Sequence, residues 1–252
     1  MVRTKIIDLT PEIAKEFLSH NEGNRRMSSA TVAVYADDMR NGRWHENGQP
    51  LTVTNGILRS GQHRCAAVVK SGVTLRNTVV IYTDDAEMID TGKTRTVMDL
   101  CGMKTKISAA ITMVIQMSEG VSGTQRMSKS LIIEKYEDWK KSCDFIDRVF
   151  TNCNAGLCRD GVTGAVLAAH LVGYSEDNLE QFVLAFQTGF MNNDIDMTAI
   201  ALRNASINSR EGGAAARQEL YLKAQSALQS YAKGKRLTKI YALSQPCYVP
   251  EV

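Results

Sequence analysis

The sequence predicts an α+β protein: a mixed N-terminal domain, residues 1–103, with an all-helical domain, residues 104–252, packed on it. Three observations predict it. Short β-prone runs fall between residues 51 and 82, interleaved with helical patterns. From about residue 107 the apolar spacing is helical throughout. No Pro/Gly-rich linker separates the halves near 100–110, so the two are expected to pack together.

The elements follow in order. Thr10-Pro11-Glu12 opens a first helix: Thr10 can cap, Pro11 suits the first turn and Glu12 suits its positive end. Ile13 and Phe17 then share a face. Ser28 or Ser29 can cap a second helix, in which Val32, Tyr35 and Met39 recur at helical spacing until Asn41-Gly42. The polar stretch before it, Asn24-Arg25-Arg26, reads as a loop. Leu51–Thr54 and Ile57–Ser60 flank Asn55-Gly56, the strongest short hairpin signal. "GQHRCAAVVKSG" reads as a short helix ending at Gly72, and "TLRNTVVIY" as a strand. Asp84 or Asp85 can start a helical turn, Asp90 to Lys93 reads as a loop, and Thr96 with Asp99 resembles a capping box. Further on, Ser175 can cap a helix with Leu179, Phe182, Val183 and Phe186 on one face, stopped by Gly189. Leu220, Ala224, Leu228 and Tyr231 form another stripe.

Composition narrows the function classes. A chain of 252 residues, 44% hydrophobic, can bury a sizeable core. Net charge is +3 with both signs mixed, too weak for nucleic-acid binding by bulk electrostatics, though not against a local basic groove. The first residues carry charges and no long apolar run, so no signal peptide is expected, and no stretch is long and apolar enough for a membrane span. A cytoplasmic location is expected, that of the host cell if the chain is phage-encoded. Six cysteines include no Cys-x-x-Cys pair, and reduced thiols are expected rather than a zinc site.

The chemistry concentrates at Gly61-Gln62-His63-Arg64, where a strand hands over to a helix. A helix start offers backbone N–H groups and partial positive charge. Gly61 permits a tight turn and close approach of a ligand. Arg64 adds a planar fork of donors, and His63 a donor or a charge. Together they suit phosphate oxygens.

The box and its flanks resemble the ParB/sulfiredoxin superfamily, whose members carry Gly-Glu-Arg-Arg, Gly-Cys-His-Arg or Gly-His-His-Arg at this turn. The stretch from Asn24 to Gly72, with Gly42-x-Trp44, Asn47-Gly48-x-Pro50 and the Gly-Gln-His-Arg box, is similar to a ParB-like group common in bacteriophages and mobile elements. "IDTGKTRTVMDL", from Ile89, resembles that group's Asp-Thr-Gly-x-x-Arg segment. The resemblance covers roughly residues 8–103. It implies a ParB/sulfiredoxin-like fold for the N-terminal domain. It implies a nucleotide site (ATP, CTP or another nucleotide, with Mg²⁺) lined by Asn24, Arg25, Arg59, Ser60, Gly61, Gln62, His63, Arg64, Lys93 and Arg95. It also implies an activity, that of a phosphotransferase or NTPase in nucleotide or DNA metabolism. Glu46, His63 and Asp90 are the catalytic candidates. Two departures matter: Gln62 stands where sulfiredoxins carry their nucleophilic cysteine, and Ser60 stands where related kinases carry an acidic residue.

Other candidates have plainer readings. "DTGKTR" is not a Walker loop, because Glu87 stands where its first glycine is required. Lys233, Lys235, Arg236 and Lys239 follow a helix and read as a solvated run. His170 reads as a satisfied core histidine. The alternatives to an enzyme are a nucleotide-regulated DNA-binding protein and an inert interaction module with a degenerate pocket. "RDGVTGAVLAAHLVGYSEDNLEQF" offers two helices and a turn, but apolar residues fill both, which weighs against a DNA-reading helix pair. The sequence is compatible with an oligomer.

Overall fold

The computed structural model describes residues 2–22, 24, 26–45, 48–84, 97, 101–151, 157, 159–208 and 213–252. These form an α+β chain with one four-stranded mixed sheet and, among the described residues, ten helices. Two compact units are distinguished. One comprises residues 1–94 with 126–131, the other residues 95–125 with 132–252.

The first unit holds β1 (Arg3–Leu9), α1 (Pro11–Ser19), α2 (Ser29–Arg40), β2 (Leu51–Thr54), β3 (Ile57–Ser60), α3 (Gln62–Ser71) and β4 (Leu75–Thr83). Strand order is β1-β4-β2-β3. β1 and β4 are antiparallel, β2 and β3 form the hairpin, and β2 lies parallel to β4 with Leu51 opposite Val80. Asn55 and Gly56 both take positive φ (50° and 80°), the backbone that a two-residue type I′ hairpin requires. Alternate residues Leu51, Val53, Leu58 and Val80 are buried with Val32, Ala36, Cys65 and Val68 of the helices in one core. α1 and α2 both pack on α3.

Local signals explain the helix limits. Thr10 Oγ1 accepts from Ile13 N at 3.3 Å, with Pro11 in the first turn. Of the two serines before α2, Ser28 is the cap: its Oγ accepts from Thr31 N at 3.2 Å. Gly72 ends α3 in the left-handed region. The strand β1 is the element that the sequence pattern does not single out. Arg3, Lys5 and Asp8 obscure its apolar alternation, and its partner β4 lies some seventy positions away, with Ile6 opposite Val79.

The second unit is helical: α4 (Thr105–Ser118), most of α5 (Lys129–Asp138), α6 (Lys140–Val149), α7 (Asp160–Leu171), α8 (Glu176–Thr188), α9 (Asp196–Asn208) and α10 (Ala214–Ala232). α7 is the central rod, and every residue from Gly161 to His170 is buried. Gly161 and Gly164 make that possible. A Cβ on Gly161 would lie 2.6 Å from Arg217 O on α10, and one on Gly164 would lie 3.0 Å from Met113 on α4. His170 is a satisfied core histidine. Its Nδ1 lies 2.8 Å from Ser142 Oγ, its Nε2 lies 3.3 Å from Glu176 Oε1, and Phe145 stacks on its ring. The hydrogen bond from His170 is the main reason that Glu176 is held below the usual carboxylate range. The expected solvated run is partly engaged: Arg236 pairs with Asp194 at 3.0 Å, and the Lys239 ammonium sits 5.2 Å from the Tyr241 ring centre. No helix among the described residues is long and apolar enough to cross a membrane.

Candidate functional site

Gly61 begins the site. It takes φ 102° and ψ 5° as the first residue capping α3, directly after β3. A Cβ there would lie 2.1 Å from Leu51 Cδ2, inside any tolerable contact. The position therefore disfavours side chains twice, through its dihedrals and through the Leu51 side chain at the start of β2. Gly61 brings no side-chain cap to α3, so the helix opens with bare backbone polarity and partial positive charge.

The next three residues are anchored in the protein. Gln62 is 6% exposed, and its Oε1 accepts from Asn21 Nδ2 at 3.1 Å. His63 Nε2 accepts from the backbone N–H of Ser28 at 3.0 Å. A ring nitrogen that accepts carries no proton, so in this arrangement the imidazole is neutral with its hydrogen on Nδ1. The donor role that the sequence suggests for His63 can thus come from Nδ1, not from Nε2. Because Ser28 also caps α2, the starting ends of α2 and α3 meet at this one ring. Arg64 is 7% exposed, and its Nη1 donates to Gln49 O at 2.6 Å.

The loop between α1 and α2 clasps the strand that feeds the turn. Leu58 N donates to His20 O at 2.9 Å. Asn24 Nδ2 donates to Asn21 Oδ1 at 2.6 Å and to Leu58 O at 2.5 Å. Arg59 Nη1 donates to Glu22 O at 3.1 Å, while its buried Nε has no acceptor among the described residues. Ser60 stands opposite Thr52 in the hairpin. Asn24, Arg59, Ser60, Gly61, Gln62, His63 and Arg64 are thus gathered in one corner of the first unit. Arg25, Glu46, Asp90, Lys93 and Arg95 lie outside the described residues.

Sequence reasoning missed Asn21 and Gln49, and read Ser28 only as a helix cap and not as a partner of His63. The first is a polar loop residue without periodicity, and the other two act partly or wholly through backbone atoms that no residue type advertises. It also missed Asp38 on α2, 6% exposed, whose Oδ1 takes Arg43 Nε at 3.4 Å. Burial pushes its carboxyl above the usual aspartate range, against hydrogen bonds from Ser128 and Arg43.

The two buried thiols, Cys65 and Cys143, are poor nucleophiles. Burial pushes Cys65, on α3 just past the box, up to about 12, and Cys143 likewise to about 12. Cys65 therefore offers no ready nucleophile next to the turn. Among the described residues no group of three His, Cys, Asp or Glu side chains is placed to hold a metal ion. What the corner offers chemically is a set of backbone and side-chain donors beside two helix starts, suited to an anion.

Compared with family models, with curated proteins and with solved structures, the chain matches none.

Proposed function

We propose that the turn from Arg59 to Arg64 binds nucleotide phosphate, and that the protein is a ParB-like phosphotransferase or NTPase acting in nucleotide or DNA metabolism. One observation carries the reading: the starts of α2 and α3 converge on His63 beside a glycine whose left-handed backbone and close approach to Leu51 disfavour any side chain. Two helix starts favour negative charge more than one. Arg64 and Arg59 lie next to them in sequence and supply cationic forks. Phosphoryl transfer asks mainly for positioning and charge neutralisation, which such a corner supports. Mg²⁺ would arrive bound to the phosphates, and its charge would add to that of the arginines.

The test is a melting series with Mg-ATP, Mg-CTP and the other nucleotides. A ligand at a hundred times its Kd adds about 2.7 kcal/mol to the folded state, which a melting curve resolves. In Arg64→Ala that increment should vanish, although the variant starts from a lower melting temperature because the bond to Gln49 O is lost. Unchanged melting of the native chain with every nucleotide would sink the reading. Release of phosphate or diphosphate then decides whether binding leads to turnover.

A non-catalytic reading has its own support. Gln62, His63 and Arg64 each already serve a protein partner, so the box also acts as a structural knot. Binding without product release would favour it. A DNA-reading role draws less support, because α7, the first helix of the candidate pair, is buried along its length. Salt-dependent duplex binding near physiological ionic strength would restore it.

A further inference from the structure

The first unit carries a second concave feature, at the other end of the sheet from Gly61. Gly61 rests on Leu51, where β2 begins, whereas this cavity touches Val53, Asn55 and Gly56, where β2 ends. Three residues of strand separate the two, about 10 Å at 3.3 Å per residue. The cavity is open on one side, has a volume of about 370 Å³, and is also lined by Arg3, Lys5, Tyr82, Thr83 and Asp84.

Its lining follows from register. Arg3 and Lys5 are two apart on β1 and so lie on one side of the strand. Tyr82 of β4 stands opposite Arg3 on one flank and opposite Val53 on the other, making a row across three strands. The Lys5 ammonium lies 5.7 Å from the Tyr82 ring centre. Arg3 faces the carboxylate of Asp84, whose pKa is lowered in part by the Arg3 charge, while the Lys5 ammonium meets only the Tyr82 ring among its described contacts. Two cations, Lys5 and the Asp84-facing Arg3, thus border a recess that also presents an aromatic ring.

We propose that this recess is a ligand site separate from the Gly61 turn, for a phosphate monoester that carries a planar ring, with a nucleoside monophosphate as the type. The phosphate dianion sits between Arg3 and Lys5, taking the place of the Asp84 carboxylate beside Arg3, and the ring lies against Tyr82. The volume is within the range of about 300–1,000 Å³ typical of small-molecule sites. The site stands whether or not the turn binds nucleotide, since no residue is shared.

Calorimetric titration of the full chain with AMP tests it, in the native protein, in Arg3→Ala/Lys5→Ala and in Arg64→Ala. Both cations are exposed, so the double variant should melt as the native chain does. The expected result is saturable AMP binding, weakened roughly tenfold or more in the double variant and kept in Arg64→Ala. Adenosine and inorganic phosphate should each bind more weakly than AMP. No saturation by AMP at millimolar concentration would overturn the proposal. So would equal affinity in the double variant, or loss of binding in Arg64→Ala alone. Benzoate binding as tightly as AMP would overturn the phosphate assignment in favour of a carboxylate.

Discussion

At the scale of single residues, Gly61 meets two independent demands, a left-handed backbone and a 2.1 Å approach to Leu51. Gly61→Ala should therefore cost at least about 2 kcal/mol, combining backbone strain with overlap. Urea unfolding measures it. Adding Leu51→Ala should give a double variant less damaged than the sum of the two, because the overlap disappears. Asn24→Ala should cost about 1–2 kcal/mol through the lost bonds to Asn21 and Leu58. Asp38 gives a pH signature. Its folded-state affinity for a proton is raised, so its protonated form favours folding. That contribution is complete below the ordinary aspartate value of about 4 and is lost as pH rises through the raised folded value. Asp38→Asn should therefore gain on the native chain as pH rises from 3 to 7. A constant difference in melting temperature across that range would contradict it. The glycine and the arginine of the box could be picked out from residue type, but the bonds that tie them down could not. Ser28 N and Gln49 O are main-chain atoms, and only the fold brings them to His63 and Arg64.

At the scale of elements, the sharpest turn is the most legible. Asn55-Gly56 has few backbones open to it, and it adopts the one that suits a hairpin. Caps at Thr10 and Ser28 are legible for the same reason, since each is a local bond across three residues. β1 is not, because an edge strand of mixed polarity is defined by the partner it pairs with. Helix–helix spacing is hidden as well. By helix propensity alone, Gly161→Ala should stabilise α7 by about 1 kcal/mol. The carbonyl of Arg217, 2.6 Å from the new methyl, should reverse the sign and cost about 1–3 kcal/mol. Thermal unfolding decides between the two signs.

At the scale of the whole molecule, residues 126–131 belong to the compact unit of the sheet although the chain has by then passed through 95–125. Ser128 in that segment hydrogen-bonds Asp38. A fragment ending at residue 103 lacks the segment, so it should unfold at lower urea than the sheet unit of the full chain. Supplying 126–131 through a short linker should recover part of the loss. Hydrogen exchange of α2 amides in the two fragments reads this directly. The α+β character of the N-terminal half and the helical run after it were legible because both rest on periodicity. The return of six residues to the first unit was not, because nothing in "RMSKSL" differs from its neighbours in pattern.

That return has a consequence for inheritance. A unit written as one continuous stretch can move between genes by a single crossover on each side. A unit whose last six residues are written inside its neighbour's stretch cannot move intact without carrying part of that neighbour along. Descendants of such a gene should exchange the two units together or not at all, and hybrids joined near residue 100 should survive only where both parents supply compatible residues at 38 and 128.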